Sequence, residues 1–279
     1  MLSTLLFTFA LALPVQDPPK PPVDPKRIDA AVTELTTAFG KDGTTETRTA
    51  AIKNNVEVVD GKVIALIAKG VDDKDPLVES AAIDALGHMA HPDSLKALHA
   101  LYIRDKAKLK DDEQMFPLLL RSIARQGSPS SVENLIDDPF AQRSHDAIRA
   151  RILGLANIRT KSAVEGLISF LGLAGAQKVD GYMDDFRLAF CRLTGQDKGP
   201  DPAAWQKWWQ DSKDKYEVPT AMPDLSPEQK RTWNRYWGAQ GKHDKEGGEE
   251  GGKKERKKGE GKGKGKGEGK DGGKDGDGR

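Results

Sequence analysis

The stretch DPLVESAAIDALGHMAHPDSLKALHAL, residues 75–101, reads as two helices joined by a short turn. Its apolar residues recur at spacings of three and four, the period of one face of an α-helix. Asp75 precedes Pro76, and Pro92 opens the second half. An aspartate before a helix can accept from an orphan N–H of the first turn. A proline at the first helical position gives up only an N–H that has no partner there. A single helical hairpin of this kind cannot bury its own apolar stripe, so it must pack on neighbours of the same type.

Such neighbours are present on the C-terminal side. Shifted by 37 positions, the stretch lies on DEQMFPLLLRSIARQGSPSSVENLI, where Leu86 meets Ile123, Pro92 meets Pro129, Leu95 meets Val132 and Leu98 meets Leu135. Shifted by 69, it lies on AIRARILGLANIRTKSAVEGLISFL, where Ile83 meets Ile152, Leu86 meets Leu155, Met89 meets Ile158, Leu95 meets Val164 and Leu98 meets Leu167. A vaguer copy, TRTAAIKNNVEVVDGKVIALIA, precedes it. The same punctuation extends across residues 25–240. Capping residues stand before prolines at Asp24-Pro25, Ser128-Pro129, Asp201-Pro202 and Ser226-Pro227, and glycines close stretches at Gly40, Gly70, Gly127, Gly195 and Gly238. Strand-like alternation is scarce, and the single Asp60-Gly61 lies between two helical stretches. An all-α chain of four to five stacked helical hairpins is predicted.

The quoted stretch resembles the HEAT repeat, in the short bacterial form also seen in bilin-lyase-like proteins. The features that carry the resemblance are Asp75-Pro76, the small pair Ala81-Ala82, Leu86-Gly87 at the end of the first helix and Pro92 at the start of the second. The similarity spans residues 45–175 and weakens away from the central unit. The segment FRLAFCRLTGQDKGPDPAAWQKWW looks like the closing part of exported bacterial HEAT-repeat proteins. The resemblance implies a right-handed α-solenoid used as a binding scaffold. It carries no activity and no bilin-site residues over to this chain.

All five tryptophans fall between 205 and 237. Trp205, Trp208 and Trp209 stand at i, i+3 and i+4, so they share one face of a helix that begins at Asp201-Pro202. Trp233, Tyr236 and Trp237 repeat the spacing after Ser226-Pro227, with Gln229 placed to complete a capping box. A solenoid leaves an apolar end that must be covered. Trp205, Trp208 and Trp209 are therefore expected to form a structural cap. Trp233, Tyr236 and Trp237 are expected to be either a second layer of that cap or an aromatic face for a ligand such as a sugar.

The two ends differ from the middle. Residues 1–16 contain an apolar run without charge, Leu2–Leu13, too short to span a bilayer, with the small-x-small pattern Ala10-Leu11-Ala12 near its end. This predicts an export signal, a Pro-rich spacer over 17–24, and a periplasmic or secreted destination. The lone Cys191 excludes an intramolecular disulfide, so packing must hold the fold. Residues 241–279 are glycine and charge of both signs, with one histidine and no apolar residue, the composition of a disordered tail. Its near-balanced charge suits a solubilising polyampholyte. A glycan or anionic-polymer contact through the tail is the alternative, and a specific nucleic-acid arm would be far more one-sided. The domain plan is thus signal 1–16, spacer 17–24, solenoid 25–215, linker with a Trp-rich helix 216–240, and tail 241–279.

No catalytic, cofactor-binding or metal-binding residue is assigned. His88, His91 and His99 lack a completing carboxylate or thiol, and His91 falls at a turn. Cys191 sits in an apolar helix without a partner base, although Arg187 and Arg192 are near in sequence. The adjacent pairs Asp72-Asp73, Asp111-Asp112, Asp137-Asp138 and Asp184-Asp185 point about 100° apart on a helix and are expected to be solvated caps. No P-loop, dinucleotide fingerprint, HExxH or GxSxG motif occurs in the folded part. The function expected is a non-enzymatic scaffold for a protein partner. The alternatives are a carbohydrate-binding module on the tryptophan helices or an accessory, lyase-like role.

Overall fold

The computed structural model describes residues 23–140, 144–174 and 181–238. The expected signal, most of the spacer and the tail lie outside the described residues. Among the described residues there are helices and no strands. In chain order they are α1 (25–38), α2 (45–54), α3 (61–67), α4 (76–88), α5 (92–109), α6 (115–125), α7 (132–136), α8 (145–157), α9 (161–173), α10 (183–194), α11 (202–212) and α12 (227–237). Short 3-10 turns precede α7 and follow α3.

The capping chemistry places the starts. Asp24, Asp75 and Asp201 each accept from a first-turn N–H next to a proline. Thr44, Asp60, Ser144 and Thr160 do the same without one. At α5 the cap is His91, whose Nδ1 accepts from the Asp93 N–H at 3.1 Å. The box at α12 is closed in both directions: Gln229 N–H donates to Ser226 Oγ at 3.2 Å, and Ser226 N–H donates to Gln229 Oε1 at 3.1 Å. Gly195 ends α10 in the left-handed conformation at φ 68°, where a side chain would be strained.

Pairing gives five hairpins, α2–α3 through α10–α11. Their first helices, α2, α4, α6, α8 and α10, pack each on the next. Their second helices form the other layer, and α1 adds to that layer ahead of α3. This is an all-α, HEAT-like solenoid. The apolar residues matched by the sequence repeats meet between the layers: Ile83, Leu86, Met89, Ile123, Ile152, Leu155 and Ile158 are all fully buried. Each such side chain contributes about 1.5–3 kcal/mol by leaving water. Gly87 lets two first helices approach closely, since a Cβ there would stand 2.8 Å from the Ser122 Cα of α6.

The second layer thins in the third hairpin. Gly127 at φ 64° and the 3-10 turn at Pro129 leave α7 only five residues. Side chains bridge α5 to this hairpin instead. His99 Nε2 and Ser131 Oγ are 3.0 Å apart, Tyr102 OH donates to Asp137 at 3.1 Å, and Lys106 pairs with the same carboxylate. From α8 the wholly buried Arg151 reaches in, donating to the carbonyls of Asn134 and Leu135, both at 2.9 Å. A cation at those carbonyls complements the C-terminal end of α7, and Phe116 packs 5.6 Å from the guanidinium.

The chain divides into two units, residues 1–233 and 234–279. The first holds all five hairpins and α12 as far as Trp233. In the second, the Tyr236 and Trp237 rings meet edge to face at 5.0 Å.

Candidate interaction surface

One stripe from each of the first three first-layer helices lines an open groove. Thr45, Glu46, Thr49, Ala50 and Lys53 come from α2, Leu77, Ser80, Ala81 and Asp84 from α4, and Leu118 and Arg121 from α6. The spacings follow from the helical period, which brings positions three and four apart onto one face. The groove has a volume of about 680 Å³. Its floor is apolar, and Leu77 is 65 % exposed in a molecule whose other core-type leucines are mostly hidden. Glu46 stands in the first turn of α2, Lys53 in the last turn. Lys53 and Arg121 have no ion-pair partner among the described residues. Asp84 is held by Arg125 at 3.3 Å and faces His88 at 3.8 Å. Burial lowers the His88 pKa, and Arg125 lowers it further against the pull of Asp84.

The tryptophans divide by environment. α11 is the second helix of the last hairpin and packs on α9. Trp205 is fully buried and stacks on Phe190 of α10 at 4.4 Å and 16°, and its Nε1–H donates to the Gly199 carbonyl at 2.9 Å. Trp209 is buried as well. Trp208, on the same face by spacing, is only half-buried and lines a cleft with Tyr216. Trp233 is buried, with the Arg192 guanidinium 4.8 Å from its ring. Tyr236 and Trp237 are half-buried.

The titratable groups are structural in their contacts. Among the described residues no group of three or more His, Cys, Asp or Glu could hold a metal ion. His99 is drawn below its usual pKa by burial. Burial pushes the Cys191 thiol up, and Gln229 Nε2 reaches it at 3.4 Å. The acidic pairs need a correction. Asp185 is not a solvated cap: it is 9 % exposed, ion-pairs with Arg149 at 3.1 Å, and has its pKa raised by burial against the pull of Arg149. Asp73 and Asp137 likewise tie hairpins together, through Arg48 and Lys106. On α10 adjacent carboxylates diverge, so Asp185 turns inward while Asp184 stays wet. The fully buried Arg151 carries no expectation from the sequence. Read as one polar position in an apolar stripe, it gives no local signal, because its carbonyl partners are 16 and 17 residues away.

Residues 32–114 match the family model of HEAT repeats. Over that segment the chain is similar to HEAT repeats. The matched segment runs from within α1 to the approach to α6, so it contains the α2–α3 and α4–α5 hairpins and most of the groove. It begins before residue 45 and stops short of 175. The match ends ahead of α6 and the hairpins that follow it. No curated protein shows significant similarity to the chain. Among the described residues no helix is long and apolar enough to cross a membrane.

Proposed function

We propose that the chain is an exported, non-enzymatic scaffold that captures a protein partner in the groove over α2, α4 and α6. HEAT repeats are commonly protein-interaction scaffolds. The observation that carries the reading is the groove itself: an apolar floor with Leu77 standing 65 % exposed, and two cations, Lys53 and Arg121, without ion-pair partners beside it. An exposed apolar strip with a charged rim is the usual anatomy of a transient interface. A partner segment with an apolar face and an acidic residue would satisfy both features. Export rests on the apolar run at 2–13 and its small-x-small ending. In this reading the destination is the periplasm or the medium, and Trp205 and Trp209 close the end of the repeat stack.

Affinity capture with the full chain tests the proposal. Wild type should retain a specific protein from the periplasmic or secreted fraction, and Leu77→Arg should release it while the circular dichroism stays unchanged. Capture of the same protein by Leu77→Arg and by a Lys53→Glu/Arg121→Glu double variant would remove this groove from consideration. Recovery of the chain with residue 1 intact from an unbroken cytoplasm would remove the export reading.

A further inference from the structure

We infer that the cleft beside Trp208 is a binding site for a neutral saccharide. It lies at the far end of the repeat stack from the groove, and it does not depend on the scaffold reading.

The cleft is framed by Thr194 and Gln196 at the end of α10, by Trp208, Asp211 and Ser212 of α11, and by the segment from Lys215 to Pro219. Its volume is about 590 Å³, inside the span of roughly 300–1,000 Å³ typical of small-ligand sites. Two aromatic rings make its wall, Trp208 and Tyr216, 5.7 Å apart at 81°.

Among the tryptophans of the unit, Trp205, Trp209 and Trp233 are buried and Trp208 is not. The Trp205 ring is taken by Phe190, stacked at 16°, and Arg192 lies over Trp233. The three ring neighbours of Trp208 stand at 85°, 46° and 81° to it, so none lies flat on its face. Its indole N–H, the Ser212 hydroxyl, the Lys215 ammonium and the Glu217 carboxylate have no side-chain hydrogen-bond or ion-pair partner among the described residues. A partly exposed aromatic ring at a cleft, beside unengaged donors and acceptors, matches the two-sided chemistry of a pyranose. The ring's C–H face packs on the negative π-cloud, and its hydroxyls both give and accept hydrogen bonds around the rim.

Charge narrows the class. Two carboxylates, Asp211 and Glu217, face one ammonium, Lys215, along the cleft. Asp211 is also held by Lys207 at 2.9 Å. Among the lining groups a phosphate or uronate would meet no positive excess, whereas a neutral sugar needs only their hydrogen-bonding capacity. The walls are set beforehand. Tyr216 OH donates to the Leu193 carbonyl at 3.4 Å, and Lys161 donates to the Lys213 carbonyl. Arg159 clamps the chain just beyond the cleft, donating to the carbonyls of Pro219 and Ala221. A cleft fixed in this way spends little binding energy on ordering itself.

The test titrates the full chain with cellohexaose, laminarihexaose, maltohexaose and chitohexaose, read by calorimetry and tryptophan emission. One of the four should bind, with a dissociation constant of about 0.1–1 mM, and quench the emission. Trp208→Ala should weaken that binding at least tenfold, and so should Ser212→Trp, which fills the cleft without removing a packed ring. Glu217→Gln should weaken it severalfold, and Trp233→Ala should leave it within twofold. Absence of heat and of an emission change with all four sugars would overturn the assignment. So would wild-type affinity in both Trp208→Ala and Ser212→Trp, or loss of binding in Trp233→Ala alone.

Discussion

Trp205→Ala measures how far the last hairpin depends on one ring. The side chain is fully buried, flat against Phe190, with its indole N–H bonded to the Gly199 carbonyl. A tryptophan buries about 150–250 Å², which at roughly 25 cal/mol per Å² corresponds to about 4–6 kcal/mol. Partial collapse of the site lowers the measured cost to about 3–5 kcal/mol. For a folded unit of this size, 1 kcal/mol moves Tm by about 2–4 °C, so a fall of roughly 6–20 °C is expected if the stack melts as one body. A solenoid distributes stability repeat by repeat, so the loss should concentrate in α10 and α11. Hydrogen exchange of amides in 183–212 should accelerate strongly while those of α4 and α5 stay slow. Trp205→Phe keeps the stack and loses the hydrogen bond, at a cost of about 1–2 kcal/mol. Trp208→Ala, cut from a half-buried ring, should cost about half as much as Trp205→Ala, roughly 2–3 kcal/mol by the same area and less after the site relaxes. A Trp208→Ala loss equal to that of Trp205→Ala, or a Trp205→Ala loss below about 1 kcal/mol, would refute the reasoning.

Three further outcomes follow from the packing. Gly87→Ala presses a methyl onto the α6 backbone at Ser122 Cα, so overpacking of about 1–3 kcal/mol outweighs a helix-propensity gain of at most about 1 kcal/mol. Gly172→Ala, with only the Gln206 amide in ordinary contact, should raise stability instead, and urea midpoints of the two variants should move in opposite directions. His99 has a pKa lowered by burial, so the folded state favours the neutral ring; its contribution is complete above the ordinary value of about 6.5 and is lost as the pH falls through the folded one. The drop in urea midpoint between pH 7 and pH 5 should therefore shrink in His99→Gln. Cys191 is buried with a raised pKa, so a thiol reagent at pH 7.5 should leave the native protein unmodified over the time in which the urea-unfolded chain reacts fully.

Reading residues 75–101 in sequence was enough for the class of fold and the repeat, because the helical period and the Asp-Pro caps act locally. The start of α4 is settled by Asp75 and Leu77, two residues apart. The groove was legible only as an expectation that some face of the repeats would serve. Which face depends on α2, α4 and α6 lying side by side, and no spacing within one helix encodes that. The tryptophans mark the same boundary. Their i, i+3, i+4 spacing placed Trp205, Trp208 and Trp209 on one side of a helix. Only the tertiary structure separated Trp205, pressed on Phe190, from Trp208, left at the rim of a cleft. Asp185 and Arg151 were misread or unread for one reason. Their partners lie 36 residues away at Arg149 and 16 at Leu135, and a polar residue's burial is decided by what the fold brings to it. Local hydrogen bonds and helical periodicity are written along the chain. Which rings are covered, which charges are paired and which grooves stay open are set by contacts between hairpins, where repeats of similar pattern differ in a few side chains.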